Sequence, residues 1–279
     1  MRLVCRGKVL DLTQPCVMGV LNVTPDSFSD GGRHFDRGVA IDAGVRMAEE
    51  GAAIVDVGGE STRPGAGPVS PQQEIDRVAP VIEGLARRTD AVLSVDTSKP
   101  DVIRAALQAG AHLVNDIRAL RVPGALAAAA DAGAAVCVMH MQGEPATMQA
   151  HPRYGDVVRE VHEFLRERVA ACLAAGMAPA SICVDPGIGF GKTLEHNLEL
   201  LRNVRAFTDL GGPVLIGVSR KSMIGIITGR PATDRLAGSL ALAALAVERG
   251  AAIVRAHDVA ATVDAVRVTA ALLAGRRGA

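Results

Sequence analysis

Four polar residues, Asn22, Asp96, Asn115 and Asp185, carry the amides and carboxylates that can read a heterocycle. An amide offers both a donor and an acceptor, and a carboxylate accepts from ring N–H groups. A second group is cationic: Arg63, Arg220, Lys221, Arg255 and His257. It suits a phosphorylated or otherwise anionic substrate, because a planar guanidinium binds phosphate oxygens in pairs. Each residue type also has an ordinary structural use, as an Asx turn, a helix cap or a solvated charge. Their placement favours chemistry: all but Arg63 stand at the end of a short apolar run.

Those runs, with the polar groups that end them, are CVMGVLN (Asn22), AAIVDVG (Asp56), AVLSVD (Asp96), AHLVND (Asn115, Asp116), AVCVMH (His140), SICVD (Asp185), PVLIGVSRK (Ser219, Arg220, Lys221) and AAIVRAH (Arg255, His257). Each has the length of a strand, and helical periodicity fills the segments between them. Alternating strands and helices call for parallel strands joined by right-handed crossovers, and eight such units close an α/β (β/α)8 TIM barrel. Barrel strands need no clean apolar and polar alternation, since helices cover one face and packed side chains fill the other. Active sites in this fold lie at the C-terminal strand ends, where these polar groups fall.

Local signals fill in the scaffold. Residues 1–12 form two short runs broken at Gly7, which predicts a hairpin covering the lower end of the barrel. Ser70, Pro71 and Gln73 supply a cap, a first-turn proline and a capping-box partner for one helix, and Ser98 with Pro100 and Asp101 predicts the start of another, ended by Gly110. Tyr154 to Ala175 should form the longest outer helix, and KSMIGIIT inserts an extra short helix after strand seven. The loops TPDSFSDGGRHF and GGESTRPGAGPVS exceed the ~2 to 6 residues usual for a strand-to-helix connection, so both are lid candidates. Phe28, Phe35 and Phe190 fall in loops on the active face, where a flat substrate could use them.

The 279 residues lie close to the ~250 of a typical barrel, which predicts one domain over 1–279 with a frayed tail at 275–279. Lysine plus arginine total 30, as do aspartate plus glutamate, so no net charge favours nucleic acid or an anionic membrane. The start lacks an export signal and no apolar run reaches the ~20 residues of a membrane span, so a soluble cytoplasmic protein is expected. Cys5, Cys16, Cys137, Cys172 and Cys183 are odd in number and lack metal spacing, as expected of reduced core residues. DPGIGFGKT imitates a nucleotide-binding loop but has Pro186 and Lys192 where glycines are needed, so its glycines are expected to let the backbone approach a flat ligand beside Asp185. The seven histidines show no zinc spacing, whereas a hydrated Mg2+ held by Asn22 and substrate phosphates is compatible with the pattern.

Taken together, MGVLNVTPDSFSDGG, VDVGGESTRPGA, SVDTSKP, VND, MHMQGEPATMQ, VDPGIGFGKT, GVSRKSMIG and VRAHDV resemble the dihydropteroate synthase family, in order from about residue 15 to 270. The resemblance implies a folate-pathway enzyme that joins p-aminobenzoate to 6-hydroxymethyl-7,8-dihydropterin diphosphate. It implies a pterin site at Asp96, Asn115, Met139, Asp185, Phe190 and Lys221, and a diphosphate site at Asn22, Thr62, Arg63, Arg255 and His257 with Mg2+ at Asn22. It further implies a p-aminobenzoate slot at Phe28, Thr62, Arg63, Pro64, Phe190, Ser219, Lys221 and Ser222. Asp96, Asp185, Lys221 and Arg255 are the expected catalytic groups, in a homodimer inhibited by sulfonamides. A corrinoid-linked methyltransferase would share the Asp and Asn group but has no need of GESTRPGA or SRKS, and a non-catalytic pterin-binding barrel would not need every motif intact.

Overall fold

Two antiparallel strands, β1 (Arg2–Cys5) and β2 (Lys8–Asp11), open the chain as the expected hairpin, turning at Arg6 and Gly7. A computed structural model describes residues 1–24, 36–60, 67 and 69–275 of the chain. The period-two burial of β1 points Leu3 and Cys5 into the lower end of the barrel, where they pack with Leu12 on Met18, Ile54, Val92, Leu113, Leu215 and Ile253. The hairpin is therefore an apolar plug for the end of the barrel away from the strand termini that carry the polar groups.

The eight expected strands are β3 (Cys16–Asn22), β4 (Ile54–Gly58), β5 (Val92–Asp96), β6 (Leu113–Asp116), β7 (Ala135–Met139), β8 (Ile182–Asp185), β9 (Leu215–Gly217) and β10 (Ile253–Ala256). They form one parallel sheet in the order β8-β7-β6-β5-β4-β3-β10-β9, and a parallel bridge from Val184 to Val214 brings its two edges together. A closed sheet has no exposed edge and fixes the level of every inward side chain. Inward positions alternate, so a second pattern underlies the apolar runs: the lower inward residues are apolar, and several of the upper ones, Asp56, Ser94, Asn115 and Arg255, are polar.

Helices α1 (Arg37–Glu49), α2 (Pro71–Ala86), α3 (Pro100–Gln108), α4 (Ala125–Asp131), α5 (Val157–Ala174), α6 (Leu194–Arg202), α7 (Ser222–Thr228), α8 (Leu236–Glu248) and α9 (Val259–Ala274) surround the sheet. The capping box at Ser70 and Gln73 forms as expected, α5 is the longest helix described, and α7 is the extra helix after the seventh barrel strand. One cap differs. Lys99, not Ser98, occupies the N-cap of α3 and makes no side-chain cap bond, while the Ser98 hydroxyl bonds the Asp116 carboxylate. Asp116 also accepts from the N–H groups of Arg118 and Leu120 at 2.8 Å each, so it organises a turn outside the barrel and has drawn Ser98 away from the helix. The expected long loops at 25–35 and 61–66, and the tail from 276, fall outside the described residues.

Candidate functional site

Arg255, inward on β10, reaches across the barrel to two other strands. Its Nε lies 2.7 Å from Asp56 Oδ2 on β4 and its Nη2 2.8 Å from Asp96 Oδ2 on β5. Asn115 on β6 donates from Nδ2 to the same Asp56 oxygen at 2.9 Å. Asp56 is completely buried, and its Oδ1, like Ser94 Oγ on β5, has no protein partner among the described residues. Unpaired polar atoms at this depth cost free energy, so each calls for a partner such as a ligand atom or an ordered water. Burial pushes the Asp96 carboxyl up to about 7, against the pull of Arg255. Gly217 on β9 lies level with Arg255, and a Cβ built there would be 3.8 Å from that of the arginine.

A second cluster faces the first from β7, β8 and the loop after β9. Asp185 ends β8, and its Oδ1 accepts the Gly187 N–H at 2.7 Å. Burial raises its pKa, opposed first by that hydrogen bond and then by the charges of Lys221, Lys192 and Arg255. Lys221 Nζ stands 4.1 Å from the centroid of the Phe190 ring, a cation–π contact, and burial lowers its pKa to about 8 although Asp185 favours the charged form. Phe190 packs with Ile117, Met139, Met141 and Met148 into an apolar wall. Thioethers around a ring suit a flat ligand face. The mouth thus has a charged side around Arg255 and an apolar side with Lys221 on its face.

The rim residues are less uniform. His257 Nδ1 lies 3.0 Å from Ser219 Oγ, and burial, with Arg255 and Arg220 adding to it, drops the imidazole to about 4. His257 is therefore a neutral hydrogen-bonding group and not the cation expected. Arg220 also leaves the cationic set, because its guanidinium is bound by both oxygens of Asp258, at 3.0 and 2.5 Å. It adopts a left-handed backbone (φ 57°) held by its N–H on Ser239 Oγ at 2.9 Å, a strained turn of the kind that sets the direction of a neighbouring functional residue, here Lys221. Ser222 is exposed at the first position of α7. Asn22 ends β3, half-buried, with its Oδ1 3.8 Å from a Cβ built on Gly58, as is Asp96 Oδ2. Phe28, Phe35, Thr62, Arg63 and Pro64 lie outside the described residues.

The loop after β8 corrects another expectation. Gly187 (φ 70°) and Gly191 (φ 62°) admit protein and not ligand: Cβ atoms there would stand 1.9 Å from His140 O and 2.3 Å from Gln142 O. Their freedom lets this loop press against the segment that follows β7.

The geometry agrees with three comparisons. A family model described as "Pterin binding enzyme" matches residues 18–257. The dihydropteroate synthase of Escherichia coli (strain K12) is 52% identical over 276 residues, spanning 99% of this chain and 98% of that protein. The chain belongs to the dihydropteroate synthase family. Solved structures of the Xanthomonas albilineans dihydropteroate synthase superpose closely: one with 4-aminobenzoic acid at TM-score 0.92 and 52% identity, covering 98% of each chain, and one in complex with 7,8-dihydropteroate at TM-score 0.89 and 49% identity, covering 98% of this chain and 99% of the other. Membership in the dihydropteroate synthase family sets aside the methyltransferase reading.

Of the residues that the dihydropteroate synthase resemblance implicates, Asn22, Asp96, Asn115, Met139, Asp185, Phe190, Ser219, Lys221, Arg255 and His257 stand at upper strand ends or in the loops that follow. Two residues outside that set are built into the site. Asp56 ends the second apolar run, and a carboxylate between apolar neighbours is its signal in the sequence. Lys192 lies in the segment that imitates a nucleotide-binding loop, yet it is only 3% exposed, and a lysine buried that deeply needs partners.

Proposed function

We propose that the chain condenses p-aminobenzoate with 6-hydroxymethyl-7,8-dihydropterin diphosphate to give 7,8-dihydropteroate and diphosphate. The carrying observation is the divided mouth: Arg255 fixed by Asp56 and Asp96 on one side, Asp185 and Lys221 beside an apolar wall on the other. In the reaction the bond between the pterin methylene carbon and the diphosphate oxygen breaks, a bond from that carbon to the arylamine nitrogen forms, and the amine proton leaves. Ionisation ahead of attack makes the ring cationic and the leaving group anionic. Asp96 and Asp185, once ionised, stabilise the ring, and Arg255 stabilises the departing diphosphate; preorganised charge of this kind lowers barriers most in a site shielded from water. Asn115 can pair with the ring edge, Met139 and Phe190 flank its faces, and Lys221 spans the ring and the p-aminobenzoate slot formed with Ser219 and Ser222. Neutral His257 donates a hydrogen bond to a diphosphate oxygen. Thr62, Arg63, Pro64 and Phe28 complete the anion and p-aminobenzoate sites in this reading.

Mg2+ is the ion we assign to the diphosphate. Mg2+ is often held through few protein atoms together with substrate phosphates. The Asn22 amide oxygen, a hard donor at the mouth near Asp96, fits that use. Bound there, the ion would neutralise diphosphate charge.

A homodimer is the proposed assembly, supported by the exposed Ile226 and Ile227 on α7, Leu245 on α8, and Val268 and Leu272 on α9, which a second copy would cover. Among the described residues no helix is long and apolar enough to cross a membrane, and the free thiols suit the reducing cytoplasm we assign. Incubating the protein with both substrates and Mg2+ tests the reading. Dihydropteroate and diphosphate should appear in equal amounts, and their absence from folded protein overturns it.

A further inference from the structure

The Phe190 platform is held from behind by side chains set outside the rim, one of which, Lys192, also acts on Asp185 through its charge. Three successive carbonyls of its loop each accept from one of them: Gly189 O from Gln149 Nε2 at 2.6 Å, Phe190 O from Lys192 Nζ at 3.0 Å and Gly191 O from Tyr154 Oη at 2.8 Å. Lys192 is the buried centre of this arrangement. Its Nζ also lies 3.0 Å from His140 Nδ1 and 3.4 Å from His140 O, at the end of β7. Burial lowers the Lys192 pKa to about 7 against the pull of Asp185, and in its charged form its three N–H groups meet these three acceptors with none left over.

The His140 ring fits the acceptor role. Burial, and then the Lys192 charge, drive its pKa to about 2, so it stays neutral and can present a bare Nδ1. Its edge meets the Phe164 ring at 4.9 Å and 88°, which fixes its plane. Lys192 therefore bonds at once to the rigid end of β7 and to the backbone carbonyl of the residue whose ring carries Lys221.

We propose that Lys192 is a positioning residue for the pterin site: its buried ammonium ties the Phe190 backbone to His140 and so sets the ring that faces the pterin and supports Lys221. The inference rests on the functional reading above. Lys192 touches no substrate in this proposal and acts through Phe190.

The test measures binding of 6-hydroxymethylpterin by calorimetry, together with the KM of each substrate and thermal unfolding. Lys192→Met keeps the length of the side chain and removes all three donors; it should weaken pterin binding and raise the pterin diphosphate KM about tenfold, and raise the p-aminobenzoate KM as well, because Phe190 and Lys221 also border that slot. Phe190→Ala should weaken pterin binding as well, and the double variant should be no worse than the weaker-binding single variant, because residues acting as one unit do not add. Folded Lys192→Met with wild-type pterin affinity, or losses that multiply in the double variant, would overturn the proposal. Should Lys192→Met fail to fold, His140→Phe carries the decision: it removes the ring acceptor at the other end of the same tie and should weaken pterin binding about two- to fivefold, and wild-type affinity in that folded variant overturns the proposal. Wild-type protein that does not bind the pterin removes the functional reading itself, a different result from wild-type binding that survives these substitutions.

Discussion

Met18, Ile54, Val92, Leu113 and Ile253 line the lower half of the barrel interior, and two residues further along the same strands stand Val20, Asp56, Ser94, Asn115 and Arg255. Both levels lie in the same register of the same parallel strands. Below, the apolar side chains and the hairpin plug exclude water and contribute stability at roughly 25 cal/mol for each Å2 of apolar surface they bury. Above, the same geometry holds an arginine between two carboxylates, an arrangement that costs desolvation and contributes little net stability. One level secures the fold, and the other prepares a field for a charged reaction.

Arg255 holds the upper level together. Replacing it with Met leaves Asp56 and Asp96 without their cation; a loss of about 3 kcal/mol in stability is expected, with at least about a hundredfold fall in kcat/KM. Urea unfolding and steady-state kinetics check both, and a variant that keeps wild-type values in the two would show that the pair neither holds the upper level nor serves the reaction. Leu113→Ala probes the lower level. It should cost about 2–5 kcal/mol of stability while both KM values stay within about twofold, because the cavity opens beneath the site. A KM change comparable with that of Arg255→Met would mean that the two levels are not separable.

Asp96→Asn and Lys221→Ala sharpen the upper level. Each should lower turnover at least about tenfold, or about 1.4 kcal/mol, with stability nearly unchanged. Asp96 must be ionised to stabilise a cation and its carboxyl is raised to about 7, so kcat/KM should rise with pH through that value; Lys221 is lowered to about 8, so activity should fall again above it. The acid limb should vanish in Asp96→Asn and the alkaline limb in Lys221→Arg, since arginine does not deprotonate there. A profile flat from pH 6 to 9 in the wild type would remove both assignments. The smallest effect belongs to Arg220→Ala. With the arginine partly exposed and bound to Asp258, it should cost no more than about 1 kcal/mol of stability. A hundredfold loss of activity there would return Arg220 to the reacting groups.

The residues that could be read early share one property: their signal lies within a few positions. Ser70 and Gln73 are three apart, the hairpin turns over two residues, and Asp96, Asn115 and Asp185 each close an apolar run. Where a side chain had two possible partners, the local signal failed. Ser98 had a helix start beside it and a carboxylate 18 residues away, and the carboxylate won. The glycines at 187 and 191 signal close approach of something to the backbone, but not whether that is a ligand or the chain after β7.

The amino-acid sequence alone determined the alternation of strands and helices, the plug at one end and the collection of polar groups at the other, because strand period, helix caps and turn chemistry act over a few residues. Only the tertiary structure decided which of those groups pair. Arg255 meets Asp56 and Asp96 across 199 and 159 residues of chain, Lys192 meets His140 across 52, and His257 is neutral because burial and two arginines surround it. Charge states and ion-pair partners depend on distance and desolvation in three dimensions, and those exist only once the barrel has closed.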